Sequence, residues 1–202
     1  MNDTLNSLSP LDGRYREKTQ NSRANFSENA LIKARLIAEI KWLSYFLTTF
    51  KPELIDNETN SKIDQLSKTI PDSLVARVKE IEKTTNHDVK AVELALAEEF
   101  EHSEKVQSLI HIFLTSEDVN SLSYALMLKN AHVSLLSSTE KVIEELGFLA
   151  LKNKDIAMMS RTHGQPASPT TLGKEINVFV ARIKKEYASL LNSKFYAKWG
   201  GA

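Results

Sequence analysis

The stretch 117-EDVNSLSYALMLKNAHVSLLSSTEKVIEELGFLALK-152 contains no proline and a single glycine. Its apolar residues recur at helical spacing, and it lacks the residue that most strongly ends a helix. At a rise of about 1.5 Å per residue, one uninterrupted helix over this stretch is about 50 Å long. Such a helix does not fit inside a compact chain of 202 residues. The stretch therefore predicts an elongated helical bundle.

A second long helix is predicted after a polar break. Ser168 and Pro169 are typical of an N-cap and a first helical position, and the periodic pattern continues to about Lys198. The apolar positions of the first long helix lie on broad faces, which require partner helices. These positions include Leu122, Ala125, Leu126, Val133 and Leu136. We expect the partner helices to come from a continuation of the chain or from another subunit.

The N-terminal part shows the same periodicity in shorter segments. After an irregular arm over residues 1–25, Ser27 is a candidate N-cap for a helix that continues to Phe50. The further predicted helices cover residues 58–69, 71–83, 89–100 and 104–114. The predicted fold class is therefore all-α, with an N-terminal helical domain over 1–111 and the first part of a central long-helix bundle domain over 112–202.

The composition excludes several functional classes. Lysine and arginine number 26, as do aspartate and glutamate, so no basic surface favours a nucleic-acid partner. The absence of cysteine excludes disulfides, thiolate metal sites and a cysteine nucleophile. No signal peptide and no membrane-spanning apolar run occur in the sequence. We expect a cytoplasmic protein with no membrane partner.

The first of four polar breaks is 9-SPLDGRY-15, which contains Arg14 and Tyr15. One interpretation is a turn with an exposed arginine. The other is a binding segment, because a guanidinium donates two parallel hydrogen bonds to a phosphate or carboxylate and the tyrosine hydroxyl adds another donor. The residue types leave both interpretations open.

The second break, 84-TTNHDVKA-91, interrupts a helical pattern. Asn86 or Asp88 can serve simply as a cap at this break. Alternatively, His87 and neighbouring backbone N–H groups contact an anion, with Lys90 in the wall of the same pocket. His87 and Asp88 are adjacent and would point in different directions on a helix, so they do not form a simple acid–base dyad.

The third break, 115-TSEDVN-120, opens the long helix. Thr115 or Ser116 can cap this helix, and Glu117 and Asp118 complement its dipole. The alternative is that the hydroxyls and free N–H groups bind a substrate anion. The two acids oppose that alternative unless they point away from the anion.

The fourth break, 158-MMSRTHGQPASP-169, contains His163. It is either a solvated histidine in an interhelix loop or a proton-transfer group in a pocket at one end of the bundle. His111 is predicted to be a satisfied core or interface residue, and His132 to be solvated. No pair of histidines has the spacing of a zinc site, and no phosphate-binding glycine loop occurs.

Taken in order, the segments SPLDGRY, TTNHDVKAVE, TSEDVN and SRTHGQPASPTTLGKE resemble the bacterial adenylosuccinate lyases of the fumarase/aspartase superfamily. The resemblance covers essentially the whole chain. It implies cleavage of a C–N bond by β-elimination with release of fumarate. The implied substrates are adenylosuccinate, which gives AMP, and succinylaminoimidazole carboxamide ribotide (SAICAR), which gives AICAR. It implies no metal and no organic cofactor.

The same resemblance assigns roles to individual residues. His163 matches the general acid that protonates the leaving nitrogen. His87 matches a histidine that positions the substrate near its phosphate, with support of proton transfer as a second role. The implied substrate-binding residues are Arg14, Tyr15, Asn86, His87, Asp88, Thr115, Ser116 and Thr162.

One departure from the family pattern concerns the catalytic base. The family carries it as a serine on an S-S-x-M-P-x-K-x-N loop, and this chain contains no such segment. Its last residues, WGGA, resemble the beginning of the family's G-A-x-G-N segment. We therefore expect an N-terminal portion that is inactive alone, and a homotetramer of the full-length enzyme in which three subunits build each active site.

Two alternatives remain. Another lyase of the superfamily, acting on argininosuccinate or a different amino-succinyl compound, would share the helical architecture. A helical scaffold module would use the four polar breaks only as caps and turns. A substrate panel separates the two lyases, and the tolerance of a His163→Gln substitution separates a lyase from a scaffold.

Overall fold

The computed structural model describes residues 8–201, which are helical apart from turns and one antiparallel hairpin. The helices are α1 Gln20–Phe26, α2 Glu28–Phe50, α3 Asn57–Lys68, α4 Asp72–Thr85, α5 Asp88–Glu98, α6 Glu104–Gln107, α7 Ser116–Lys152 and α8 Leu172–Leu191. The strands are β1 Ala157–Thr162 and β2 Gln165–Thr171. The predicted all-α fold class is confirmed.

The described chain divides into two compact units. The first contains residues 8–130 and 195–201, and the second contains residues 131–194. Helix α7 contributes its first part to one unit and its remainder to the other. The predicted domain boundary between residues 111 and 112 stays a prediction.

Helix α2 is the central element of the first unit. It begins as the sequence predicted, with the Ser27 hydroxyl accepting a hydrogen bond from the Ala30 N–H at 3.2 Å. Its buried aliphatic stripe packs against α3, α4 and α5. The buried aliphatic residues of α2 are Ile32, Leu36, Ile40, Leu43 and Leu47. Each fully buried leucine or isoleucine contributes about 1.5–3 kcal/mol relative to an exposed one.

The connection before α7 differs from the prediction. A helix was expected over 104–114, but α6 ends at Gln107 and both His111 and Phe113 have a φ of 62°. A left-handed residue cannot continue a right-handed helix. A contact remote in sequence holds this turn, since His111 bonds to Glu39 of α2. Helix α1 also lies inside the arm expected to be irregular.

The second unit contains the other main correction. Ser168 and Pro169 lie in β2 and do not begin a helix, and α8 starts after Thr171, whose hydroxyl accepts from the Lys174 N–H at 3.2 Å. Proline lacks a backbone donor but is tolerated in an edge strand or beside a bulge. The hairpin meets both conditions, because it has only two strands and its register shifts between Met159 and Arg161.

Two other predictions for the second unit are wrong. Helix α8 ends at Leu191 and not near Lys198, and Asn192 follows as its C-cap. His132 was expected to be solvated, but it is partly buried and its Nε2 donates to the Leu190 carbonyl at 2.7 Å. This bond joins a residue of α7 to the last turn of α8, 58 positions later.

The start of α8 lies very close to the end of α7. The N–H groups of Leu172 and Gly173 donate to the carbonyls of Ile156 and Asn153, each at 2.9 Å. A Cβ added at Gly173 would lie 2.3 Å from the Ala150 carbonyl oxygen. Only glycine allows this approach without a backbone shift.

Among residues 8–201, no helix is both long and apolar enough to cross a membrane. Within the same residues, no group of three or more histidine, aspartate or glutamate side chains could hold a metal ion.

Candidate functional site

Asn86 and His87 form the junction between α4 and α5. Asn86 ends α4 in the left-handed conformation, with φ 48°, and its N–H donates to the Glu82 carbonyl. His87 is the N-cap of α5, and its Nδ1 accepts from the Lys90 N–H at 3.2 Å. A neutral His87 with this bond carries its proton on Nε2, because one ring nitrogen accepts and the other donates. The side chain is 52% exposed, so Nε2 can donate to an anion.

Asp88 has two protein partners. Its Oδ1 accepts from the Val89 N–H at 2.8 Å, and its Oδ2 pairs with Arg35 Nη2 at 2.6 Å. Partial burial opposes ionisation, but the Val89 N–H and the Arg35 charge outweigh it and hold the pKa of the Asp88 carboxyl below its ordinary value. These contacts favour a positioning role for Asp88 in fixing the start of α5.

Arg35 connects two of the predicted site segments. Its side chain is only 6% exposed, and besides Asp88 it contacts Asn120, with Nε donating to Oδ1 at 2.9 Å. Arg35 therefore joins the first turn of α5 to the second turn of α7. The sequence interpretation missed this residue, although an arginine between Ile32 and Leu36 on a core stripe was a usable signal.

Thr115 and Ser116 stand at the start of α7. The N–H and the hydroxyl of Thr115 both donate to Asp118 Oδ2, at 2.9 and 3.0 Å. Asp118 is fully buried, whereas the neighbouring Glu117 is exposed. The Thr115 side chain is thus held by Asp118, while Ser116 occupies the first position of the helix.

Arg14 and Tyr15 lie in the turns that precede α1. The Tyr15 N–H donates to the Pro10 carbonyl at 2.9 Å, and the Arg14 guanidinium lies 5.5 Å from the centre of the Tyr15 ring. The two side chains contact each other, and Arg14 is exposed. Arg14, Tyr15, the junction at His87 and the start of α7 all belong to the first unit.

Thr162 and His163 belong to the second unit, at the tip of the hairpin. Thr162 pairs with Gln165, and the two residues between them have φ 50° at His163 and 77° at Gly164. Positive φ at both central positions is typical of a type I′ turn, the two-residue connection that matches strand twist. His163 is exposed in this turn. The sequence interpretation expected an interhelix loop here and missed the hairpin.

The lyase family, described simply as "Lyase", matches residues 13–202. The chain belongs to this family.

Relatives across the lyase family carry a more specific name. The adenylosuccinate lyase of Haemophilus influenzae is 43% identical over 206 residues, which cover 98% of this chain and 45% of that protein. That of Escherichia coli K12 is 38% identical over 211 residues, with the same coverage of both proteins. The chain therefore spans less than half the length of these relatives.

Solved structures of lower identity share the fold. A fumarate lyase from Mesorhizobium aligns with a TM-score of 0.70 at 18% identity, covering 84% of this chain and 38% of that one. A β-carboxy-cis,cis-muconate cycloisomerase from Acinetobacter calcoaceticus aligns with a TM-score of 0.71 at 18% identity, covering 90% and 42%. At this identity the likeness concerns the fold alone.

Proposed function

We propose that the protein containing this chain is an adenylosuccinate lyase, which releases fumarate from adenylosuccinate and from SAICAR. The observation that carries the proposal is the 43% identity to a relative of that name over 98% of the chain. The proposal includes a homotetramer in the cytoplasm that uses no cofactor. It also includes a site completed by residues of more than one subunit.

The residue chemistry of the first unit supports an anionic substrate. Adenylosuccinate carries a phosphate and two carboxylates, which are bound best by charge-assisted donors. His87 presents a donor at Nε2, Arg14 is an exposed guanidinium, and Ser116 presents a hydroxyl at a helix start. We assign these three donors to substrate binding. The same segments contribute four further proposed substrate-binding residues, which are Asn86, Asp88, Tyr15 and Thr115.

His163 is proposed as the general acid, with Thr162 beside it. Its imidazole is exposed on a two-residue turn whose ends pair as strands, so the backbone that carries it is held in place. A protonated imidazole can donate its proton to the leaving nitrogen as the C–N bond breaks.

The first experiment is a substrate panel on the complete reading frame that encodes this chain. Fumarate release is measured with adenylosuccinate, SAICAR and argininosuccinate. We expect release from the first two only. Release from argininosuccinate without release from adenylosuccinate would show that the protein is a different lyase.

The general-acid role predicts that His163→Gln lowers kcat by about 10²- to 10⁴-fold. His132→Gln is a matched control, since glutamine can keep the donor that His132 gives to Leu190. The control should retain its activity. Normal turnover by a folded His163→Gln protein would exclude His163 as the general acid.

The binding role of His87 can be separated from its capping role. In His87→Asn, the amide oxygen takes the place of Nδ1 as acceptor for the Lys90 N–H, but the donor at Nε2 is lost. We expect a normally folded protein whose KM for adenylosuccinate rises about 10- to 100-fold, the loss of one hydrogen bond to a charged group. An unchanged KM would remove His87 from the binding site.

The 202-residue chain alone is proposed to be inactive, since it contains no segment that matches the family's serine loop. Incubation of the purified chain with adenylosuccinate should yield no AMP. Conversion at a rate above that of a His163→Gln chain would contradict this.

A further inference from the structure

Asp118 receives hydrogen bonds from two segments that are remote in sequence. Its Oδ2 accepts from Thr115 at the start of α7, as described above. Its Oδ1 accepts from the N–H of Gly200 at 2.8 Å and lies 3.0 Å from Lys198 Nζ. The Gly201 N–H lies 3.2 and 3.1 Å from the two oxygens. One carboxylate therefore ties residues 115–118 to residues 198–201, and we refer to these contacts as the Asp118 clamp.

The environment explains why this residue is an aspartate. The side chain is 1% exposed, and a carboxylate buried this deeply requires donors to replace its water. Burial opposes ionisation, but the N–H groups of Gly200 and Thr115, the Lys198 ammonium and the Thr115 hydroxyl outweigh it and hold the pKa of Asp118 well below its ordinary value. The Asp118 carboxyl therefore remains an anion and a hydrogen-bond acceptor at neutral pH.

Further contacts hold the 198–201 segment in the same place. The Lys198 N–H donates to the Ser121 hydroxyl at 2.9 Å. The Trp199 ring meets Trp42 of α2 edge-on at 5.3 Å between ring centres. Asp118, Trp199 and the two glycines line one end of a cavity of about 520 Å³ with aromatic walls. The clamp is thus part of a packed contact and does not depend on a single surface bond.

We propose that Asp118 is a positioning residue for substrate binding, which holds the Thr115–Ser116 turn and the 198–201 segment in fixed relation to each other. This inference rests on the proposed function, in which Thr115 and Ser116 contact the substrate. The Asp118 carboxylate is buried and its hydrogen bonds come from protein donors. It therefore affects the substrate only through the Thr115–Ser116 segment that it holds. A shift of the Thr115–Ser116 segment that breaks one hydrogen bond to a charged substrate group weakens binding about 10- to 100-fold, so the clamp matters for binding as well as for folding.

An asparagine at this position cannot perform the same task. One of its two polar atoms is an NH₂ group, which would face N–H donors of Thr115 or of the two glycines and leave them without an acceptor. Asp118→Asn therefore keeps the size of the side chain but breaks one side of the clamp. Lys198→Met removes the ammonium, which contacts Asp118 and also donates to the Gly201 carbonyl, from a side chain that is 44% exposed.

The experiment measures KM and kcat for adenylosuccinate with the complete protein, four single variants and the Asp118→Asn/Lys198→Met double variant. Asp118→Asn and Lys198→Met are the test variants, and Asp64→Asn and Lys68→Met, two exposed positions of α3, are their matched controls. We expect KM to rise about 10- to 100-fold in Asp118→Asn and several-fold in Lys198→Met, with unchanged values in both controls. The double variant should be no worse than Asp118→Asn alone, because both changes act on one clamp.

The division between KM and kcat separates positioning from a merely structural role. A structural defect lowers the fraction of active enzyme and hence the apparent kcat, but leaves KM unchanged. An unchanged KM in a folded Asp118→Asn protein overturns the inference. If Asp118→Asn does not fold, an unchanged KM in Lys198→Met overturns it. Absence of fumarate release by the unsubstituted protein overturns the proposed function itself, and this inference with it.

Discussion

Glu39 and His111 form a buried pair on the core side of α2, and a single substitution there tests its electrostatics. Glu39 is 0% exposed and its Oε1 lies 2.5 Å from His111 Nδ1. Its other oxygen, Oε2, is buried without a hydrogen-bond partner in the described part of the chain. His111 Nε2 lies 3.4 Å from Glu93, which also pairs with Lys90.

Both members of the pair have raised pKa values. Burial raises the pKa of Glu39, and the hydrogen bond and charge of His111 only partly offset it. Burial lowers the pKa of His111, but the bond to Glu39 and the charges of Glu39 and Glu93 outweigh it. A raised folded-state pKa contributes stability that is lost as the pH rises through it. We therefore expect the free energy of unfolding to fall as the pH rises above 4.5 on account of Glu39, and further above 6.5 on account of His111.

His111→Asn removes the positive charge while keeping the backbone and one donor. Asparagine tolerates the left-handed φ of 62°, and its amide nitrogen takes the place of Nδ1. Glu39 must then remain an unpaired anion or take up a proton. From its ordinary pKa of 4.5, protonation costs at most about 4 kcal/mol at pH 7.5 and about 1.4 kcal/mol at pH 5.5. These values are upper limits on the loss of stability that an unpaired Glu39 can cause.

Glu39→Gln is the matched substitution on the other side of the pair. A neutral His111 costs nothing at pH 7.5, since that pH lies above its ordinary pKa of 6.5, and it still donates to the glutamine oxygen. We expect a loss of about 1 kcal/mol or less.

Urea unfolding of the chain, followed by far-ultraviolet circular dichroism at the two pH values, measures both substitutions. His111→Asn should be the more destabilising at pH 7.5, and the difference between the two should shrink markedly at pH 5.5. Equal losses, or a difference that does not change with pH, would refute the charge assignment of the pair.

Three further predictions concern stability. Arg35→Met should cost about 2–3 kcal/mol in urea unfolding, because Asp88 and Asn120 lose the buried guanidinium that bonds to both, whereas Arg77→Met, at a side chain that is 46% exposed, should cost less than about 1 kcal/mol. Similar losses would argue against Arg35 as a connector. Gly173→Ala should lower the melting temperature, since its Cβ would lie 2.3 Å from a backbone oxygen. Gly147→Ala, whose Cβ has no neighbour within 4 Å, should raise it slightly. An unchanged melting temperature in Gly173→Ala would contradict the close approach. Gly164→Ala should destabilise the hairpin by about 1–2 kcal/mol, because Gly164 has a φ of 77°. The loss should be measurable as faster amide hydrogen exchange in the two strands. Unchanged exchange would exclude the type I′ turn.

Local patterns predicted most of the helices. The Ser27 cap, the proline that precedes α4 and the uninterrupted run of α7 each act within about one helical turn, and the structure has all three. The order of four polar segments predicted the family, which is confirmed. The roles of His163, His87 and the other site residues stay predictions.

Tertiary contacts decided what local patterns could not. The hairpin at His163 overrides the helix signal of Ser168 and Pro169, because paired strands satisfy backbone groups that a proline-containing loop leaves open. Asp118 could be predicted as a helix-capping acid, but its bonds to Gly200 and Gly201 span more than 80 residues. The sequence by itself determined most of the helices, because their hydrogen bonds and caps are local. Only the folded chain determined which polar side chains are buried together, because each of those contacts joins segments that the sequence keeps far apart.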